Sequence, residues 1–143
     1  MGNKIKEALQ ILIDLGVPKG QQNERTALCL LALADIKKNT QWKDAQDPLI
    51  GITPMMEFTK KAYKKDYAPN TRETFRRFSM HQLVEAGIAL YNPDKTNRPV
   101  NSPQTVYQLT PLVLHIVKLF GTDGYAKAIE VYHQKIGALA ERY

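Results

Sequence analysis

The sequence predicts a mainly α-helical domain that contains a single β-hairpin. Six segments are predicted to be helices from the spacing of their apolar residues and from the Asn, Thr, Pro or Gly residues that bound them. Segments 88–92 and 105–109 are instead rich in β-branched and aromatic residues and flank a stretch of turn formers. With 143 residues, of which 43% are hydrophobic and 24% charged, residues 1–143 are expected to form one domain.

The first two helices are predicted by their apolar residues. Helix 3–15 has apolar side chains at the helical period and ends before Gly16. Helix 23–34 is apolar on nearly all sides, so we expect it at the centre of the core. The polar segment 37–47 is expected to be a loop whose Trp42 covers the core, which is the commoner role for a loop tryptophan than binding a ligand.

Two further helices are expected to meet at a short turn around Pro69. Thr53 and Pro54 are a cap and a favoured first residue, which predicts a helix at 53–64. Pro69 cannot lie inside a helix and therefore separates it from the next one, expected at 70–86.

The start of helix 70–86 is expected to be a capping box. The Asn70 side chain would accept a hydrogen bond from a backbone N–H of the first turn, and the Glu73 carboxylate would accept one from the backbone N–H of Asn70. Gly87 would end the helix in left-handed geometry. Seven Lys or Arg residues and two acidic residues lie between Lys60 and Arg77, so this segment holds +5 of the net charge of +6. Such a concentration of positive charge favours a polyanionic partner.

A hairpin and two helices complete the predicted chain. Segments 88–92 and 105–109 are expected to pair as strands around a long tip. A threonine and a proline open helix 111–120, and a last helix is expected at 125–142.

This order of elements is typical of a winged helix-turn-helix. Helix 23–34 would support the motif, helix 53–64 would be the crossing helix, helix 70–86 the recognition helix, and 88–109 the wing. The helices at both ends of the chain would be additions to it. The sequence therefore predicts a winged helix-turn-helix that binds double-stranded DNA.

A helical projection of 70–86 separates a core side from a DNA side. Phe75, Ser79, Leu83 and Ala86 fall on the core side. The candidates for base contacts on or beside the opposite face are Asn70, Thr71, Thr74, Arg77, Phe78 and His81. Arg77 is the first choice because its fork matches guanine O6 and N7. Thr74 would suit a thymine methyl or a hydroxyl contact, and Asn70 an adenine or a phosphate.

Other residues are candidates for contacts to the DNA backbone. The phosphate candidates are Lys64, Lys65, Arg72 and Arg76. Arg72 and Arg76 project toward the core side and would keep their charged heads in solvent. The candidates at the tip of the wing are Lys95, Asn97, Arg98, Asn101 and Ser102. Arg98 would either enter a minor groove or belong to a solvated loop.

Phe78 lies at the edge of the polar face and has two interpretations. The commoner outcome for such an aromatic side chain is packing on a neighbouring helix, and this is what we expect. The alternative is a contact with a thymine methyl group or an unstacked base.

Little in the sequence points to catalysis, metal binding or a membrane. Cys29 is the only cysteine and is expected to be a buried helix residue. Asp35-Ile-Lys37 matches part of a nuclease motif, but Asp35 and its possible upstream partner Asp14 lie at the ends of two helices with no strands nearby, so we interpret the match as chance. Structural roles are expected for all three histidines, His81, His115 and His133. No catalytic residue, metal or cofactor is expected in this chain, and neither a secretion signal nor a membrane span is evident, so we expect a cytoplasmic location.

Several strings of the sequence resemble one known family. They are Gln21-Gln-Asn-Glu-Arg25, Ile50-Gly-Ile-Thr-Pro54, Asp66-Tyr-Ala-Pro-Asn-Thr-Arg-Glu-Thr-Phe-Arg-Arg77, His81-Gln82, Leu90-Tyr-Asn-Pro-Asp94, Arg98-Pro-Val-Asn-Ser-Pro103 and Ala140-Glu-Arg-Tyr143. Over nearly the whole chain they resemble the amino-terminal region of the BsuBI/PstI family of type II restriction endonucleases.

The resemblance implies a winged-helix DNA-binding domain that precedes a separate Mg²⁺-dependent nuclease domain in a prokaryotic enzyme. It further implies that this chain lacks the nuclease domain and is an excised part of a longer protein. Named family members cut the palindrome CTGCAG, so a similar target is expected here. Phe78 departs from a more usual polar residue at its position.

Other functions fit parts of the sequence. The domain could read adenine-methylated DNA, with Phe78 or Trp42 against the methyl group. It could pair two subunits through the aromatic and aliphatic stripe of the last helix, 125–143, although packing of that stripe on the domain's own first helix is the more expected outcome. A free-standing winged-helix transcription regulator fits the fold equally well.

Overall fold

The computed structural model describes residues 3–141, with side chains through Ile136. The helices are α1 (Lys4–Asp14), α2 (Glu24–Leu33), α3 (Ile52–Tyr63), α4 (Arg72–Phe75), α5 (His81–Glu85), α6 (Pro111–Lys118) and α7 (Tyr125–Glu141), and the strands are β1 (Ala89–Tyr91) and β2 (Tyr107–Leu109). Short 3₁₀ turns lie at Lys19–Gln21, Trp42–Asp44 and Pro69–Thr71. A π-helical turn, Arg76–Met80, joins α4 to α5. We call the continuous helix 72–85 the recognition helix.

The predicted winged helix-turn-helix is confirmed. The helices and strands begin and end within two residues of their expected bounds. α2, α3 and the recognition helix are followed by the antiparallel pair β1 and β2, in which Leu90 lies opposite Gln108. Ile50 adds an antiparallel bridge to Tyr107, with both backbone N–H···O distances at 2.9 Å. The wing is therefore attached directly to the segment that leads into α3.

α2 is the central helix, as its composition predicted. Every residue from Thr26 to Leu33 is buried, including Cys29. Burial raises the pKa of the Cys29 thiol to about 12. α1 and the recognition helix both pack against α2. Asn23 caps α2 by accepting a hydrogen bond from the Thr26 backbone N–H at 2.9 Å.

Trp42 covers the core and packs beside Phe120, with ring centroids 5.7 Å apart. Its indole Nε1 donates to Glu7 Oε1 at 3.1 Å. The expected role as a lid on the core is confirmed. A role for Trp42 in contacting a methylated base is wrong, because the side chain is only 6% exposed.

α7 packs against the domain, as expected, through Tyr125, Ile129 and Tyr132, whereas Ile136 of the same stripe is exposed. Tyr125 Oη donates to Asp14 Oδ2 at 2.7 Å, and a His133 ring nitrogen lies 2.7 Å from the backbone oxygen of Asp14. Tyr132 is buried, and its hydroxyl donates to the Ala86 carbonyl at 3.3 Å. Tyr143 and the side chain of Leu139, which also belong to the stripe, lie outside the described residues. Among the described residues, no helix is long and apolar enough to cross a membrane.

The expected starts of α3 and of the recognition helix are wrong in detail. Gly51 is the residue before α3, and Thr53 lies in its first turn, where Pro54 is tolerated because the first backbone N–H groups have no partners inside the helix. Asn70 belongs to a 3₁₀ turn and caps nothing with its side chain. Glu73 binds Arg76 instead of the backbone, since a guanidinium is the stronger hydrogen-bond donor.

We expect Tyr125→Phe to lower the free energy of unfolding by about 1 kcal/mol, because it removes the hydrogen bond that joins α7 to α1. Urea denaturation monitored by circular dichroism measures the change. Tyr91→Phe is the matched control, since Tyr91 is substantially exposed. Equal effects of the two substitutions would contradict the assignment of this bond.

Candidate nucleic-acid interface

The recognition helix presents a face to solvent that agrees with the projection from the sequence. Phe75, Ser79 and Leu83 are buried, as expected for the core side, and Ala86 is half-buried. The exposed residues of the opposite face are Asn70, Arg77, Phe78 and His81, with Thr71 and Thr74 half-buried at its border. All six base-contact candidates are thus exposed or half-buried along the recognition helix and the turn before it.

Phe78 is exposed, and the expectation that it packs on a neighbouring helix is wrong. The reason is the π-helical turn, which accommodates one residue more than an α-helical turn. In a regular α-helix, Phe78 and Met80 would each lie about 100° from the centre of the face formed by Phe75, Ser79 and Leu83. The wider turn brings Met80 fully into the core and leaves Phe78 51% exposed.

A buried polar network at this turn was not predicted from the sequence. Ser79 Oγ accepts a hydrogen bond from Arg25 Nε at 2.8 Å and lies 2.9 Å from Thr26 Oγ1. Ser79 and Thr26 are both fully buried. The signals that could have found it are the two hydroxyl residues on helix faces predicted to be buried, because a buried hydroxyl requires a partner.

The arginines of the recognition helix differ in how firmly they are held. Arg76 Nε donates to Glu73 Oε2 at 3.0 Å, and a second nitrogen of Arg76 bonds the other carboxylate oxygen. This hydrogen bonding lowers the pKa of Glu73 and raises that of Arg76. Arg77 Nε lies 3.9 Å from Glu73, and 65% of the Arg77 side chain is exposed. Arg77 is therefore the more available of these two guanidinium groups.

The remaining phosphate candidates lie around the turn between α3 and the recognition helix. Lys64 is exposed and ends α3 with a positive φ of 60°. Lys65 Nζ lies 3.4 Å from Glu24 Oε1. Arg72 is exposed, and its Nε donates to Thr53 Oγ1 at 3.1 Å. Arg72 is exposed and Arg76 is half-buried, so the part of the expectation that concerns their access to solvent agrees with the structure.

The wing tip corrects the expectation for Arg98. Its guanidinium donates to Asn92 Oδ1 at 2.8 Å and to both Asp94 oxygens at 3.1 and 3.0 Å. Only 9% of the Arg98 side chain is exposed. The Arg98 side chain therefore does not extend toward a minor groove; three acceptor atoms hold it against the wing, although the loop around it is exposed.

The other wing candidates remain at the surface. Lys95, Asn97 and Asn101 are exposed, and Ser102 is half-buried. Asn101 and Ser102 line a cleft of about 170 Å³ between the wing and the recognition helix. Arg72 and Arg76 line its opposite side. This cleft brings together a pair of phosphate candidates and a pair of wing candidates that are distant in the sequence.

The described residues contain no group of three His, Cys, Asp or Glu side chains that could hold a metal ion. Asp35 Oδ1 lies 3.6 Å from Lys37 Nζ at the surface. Asp14 accepts hydrogen bonds from Gln10 and Tyr125 in a different part of the domain. The two acidic residues of the weak nuclease-motif match thus have separate structural contacts.

Comparisons with known proteins give a consistent family. Residues 2–141 match the model of the BsuBI/PstI restriction endonuclease HTH domain. The chain is 56% identical over 143 residues to the type II restriction enzyme BsuBI of Bacillus subtilis, which covers 100% of this chain and 45% of that protein. It is 37% identical over 137 residues to the type II restriction enzyme AplI of Arthrospira platensis, covering 96% of this chain and 42% of that protein.

A solved structure shows the same fold. The SdaI restriction endonuclease superposes on 92% of this chain with a TM-score of 0.86 and 32% sequence identity, and the matched part is 41% of the SdaI chain. The chain therefore spans less than half of the length of each of these relatives. Membership of a helix-turn-helix family supports DNA binding by this domain. The chain belongs to the family of BsuBI/PstI restriction endonuclease helix-turn-helix domains.

Proposed function

We propose that this chain reads a specific double-stranded DNA sequence on behalf of a type II restriction endonuclease. The observation that carries the proposal is the exposed face of the recognition helix, where an available arginine and an exposed aromatic ring lie side by side at positions 77 and 78. A helix of this kind enters the major groove and contacts base edges. The family makes a CTGCAG-like palindrome the target to test first.

Arg77 is the proposed base reader. The Arg77 side chain is 65% exposed, and its Nε lies 3.9 Å from Glu73 Oε1, beyond hydrogen-bond distance. The guanidinium can therefore turn toward a guanine. Thr74, Asn70, Thr71 and His81 are proposed to make supporting base contacts from the same face. Phe78 is proposed to press on a thymine methyl group, because an exposed ring beside a base reader offers the apolar contact that this methyl requires.

Backbone contacts are proposed on both sides of the recognition helix. Lys64 and Lys65 would bind phosphates beside the turn after α3, and Arg72 and Arg76 would bind them at the cleft that faces the wing. The wing residues proposed to contribute are Lys95, Asn97, Asn101 and Ser102. The acidic partners of these cations are exposed, so phosphates can replace them at low cost.

The chemistry of cleavage is proposed to belong to a separate part of the protein. The relatives are more than twice as long as the matched region, which leaves room for the Mg²⁺-dependent nuclease domain that the family implies. Two copies of the chain would read the two halves of a palindrome. The whole enzyme is proposed to act in the bacterial cytoplasm.

One alternative has a specific observation in its favour. An exposed aromatic ring at position 78 would also accommodate the methyl group of an N6-methylated adenine, so the domain would then read modified DNA. A free-standing transcription regulator shares the fold but not the family.

Arg77→Ala is expected to weaken binding to the target by about 1–3 kcal/mol and to relax preference at one base pair. Lys64→Ala is expected to weaken binding to all sequences alike and to reduce the salt slope by about one. Fluorescence anisotropy with labelled duplexes at a series of salt concentrations measures both effects. The base-reading assignment fails if the two variants behave alike.

The target itself is tested with three duplexes that contain CTGCAG, adenine-methylated CTGCAG or a scrambled site, each at two salt concentrations. We expect the tightest binding to the unmethylated site, with two chains bound to one duplex. A preference for the methylated duplex would support the alternative function, in which the domain reads adenine-methylated DNA. Equal affinity for all three, with a steep salt slope, would leave only nonspecific binding.

We expect no DNA cleavage when the purified chain is incubated with plasmid DNA and Mg²⁺, because the catalytic carboxylates are assigned to another domain. Agarose electrophoresis measures the outcome, with a commercial CTGCAG-cutting enzyme as the positive control. Mg²⁺-dependent cutting by this chain would contradict the proposed division of labour.

A further inference from the structure

The π-helical turn lies where the proposed base readers are. Arg77 and Phe78 are its second and third residues, and both side chains face solvent. Ser79 and Met80 follow them and are fully buried. π turns are rare and frequently occur at functional sites. The turn therefore sets the boundary between the DNA side and the core side of the recognition helix.

Contacts from α2 hold the turn at one of its buried residues. The Ser79 hydroxyl accepts from Arg25 Nε at 2.8 Å and shares a 2.9 Å hydrogen bond with Thr26. Arg25 and Thr26 are the second and third residues of α2, directly after the cap at Asn23 and Glu24. Thr26 is the first fully buried residue of α2, so its hydrogen bond ties the π turn to the most deeply buried helix of the domain.

We propose that Arg25, Thr26 and Ser79 are positioning residues that set the DNA sequence specificity of this domain. They fix the π turn, and the turn fixes the direction in which Arg77 and Phe78 approach the base edges. Thr26 and Ser79 are fully buried and act through the turn rather than by touching bases. This inference rests on the proposed function of the recognition helix and extends it to the residues that hydrogen-bond the π turn from α2.

The proposal separates specificity from affinity. Base contacts depend on the direction of the side chains in the turn, so loss of the network reduces discrimination between sequences. The lysine contacts proposed at the turn after α3 lie outside the network, and nonspecific binding to phosphates should persist. A role of the network in stability alone would instead leave discrimination unchanged in the folded protein.

The experiment compares Ser79→Ala and Thr26→Val with the conservative variant Thr26→Ser, which keeps the hydroxyl. Tyr125→Phe is the matched control, because it removes a hydrogen bond of similar length that joins α7 to α1 outside the helix-turn-helix. Selection from a random duplex pool with the unsubstituted chain first identifies the preferred site. Dissociation constants for that site and for a scrambled duplex are then measured well below the melting temperature of each variant, which circular dichroism provides.

We expect Ser79→Ala and Thr26→Val to reduce discrimination between the two duplexes about tenfold, with scrambled-duplex affinity and its salt slope unchanged. Thr26→Ser and Tyr125→Phe should discriminate as the unsubstituted chain does. The inference is overturned if Ser79→Ala and Thr26→Val keep full discrimination, or if they weaken both duplexes equally. An unsubstituted chain that selects no sequence would overturn the proposed target recognition and this inference with it.

Discussion

The burial of α2 on every side is the constraint on which the rest of the structure depends. A helix with no solvent-facing stripe beyond its first turn requires neighbours all round it, and α1, α3, the recognition helix and β2 supply them. Its few polar side chains must then find partners inside the protein. The Thr26 hydroxyl forms a hydrogen bond with the Ser79 hydroxyl, and this bond connects the hydrophobic core to the recognition helix.

Charge repulsion is the second constraint, because most of the net positive charge lies in one segment. Acidic side chains lie close to these cations. Lys60 Nζ is 3.8 Å from Asp66 Oδ2, and Lys65 Nζ is 3.4 Å from Glu24 Oε1. Arg76 is hydrogen-bonded to Glu73. Exposed pairs of this kind contribute little to stability. They reduce repulsion between the cations in the folded chain, and under the proposed function each cation would exchange its carboxylate for a DNA phosphate.

The elements that could be predicted from the sequence are those that local patterns specify. The helical periods, the Asn23 cap and the turn at Gly87, with its positive φ of 77°, depend on residues close together in the chain. The errors lie where a side chain bonds a partner that the local pattern does not specify, or where the helix departs from the regular α-helical period. Arg72 Nε donates a hydrogen bond to the Thr53 hydroxyl. Met80 is buried in the core, whereas Phe78 is exposed. The candidate face follows from the helical period, whereas the Arg98 contacts depend on how the wing loop folds and the Ser79 network depends on residues of another helix.

Buried polar contacts hold both the wing and the π turn in place in the absence of DNA. Asn92 is buried with a positive φ of 48°, and its side chain accepts from both Arg98 and the Val106 backbone. Hydrogen bonding to Arg98 also lowers the pKa of Asp94, so the pair stays ionised over a wider range of pH. A surface ordered in advance loses less conformational entropy on binding. Under the proposed function such a surface would also adapt less readily to an incorrect sequence, so the internal contacts that hold the fold together would favour discrimination between targets.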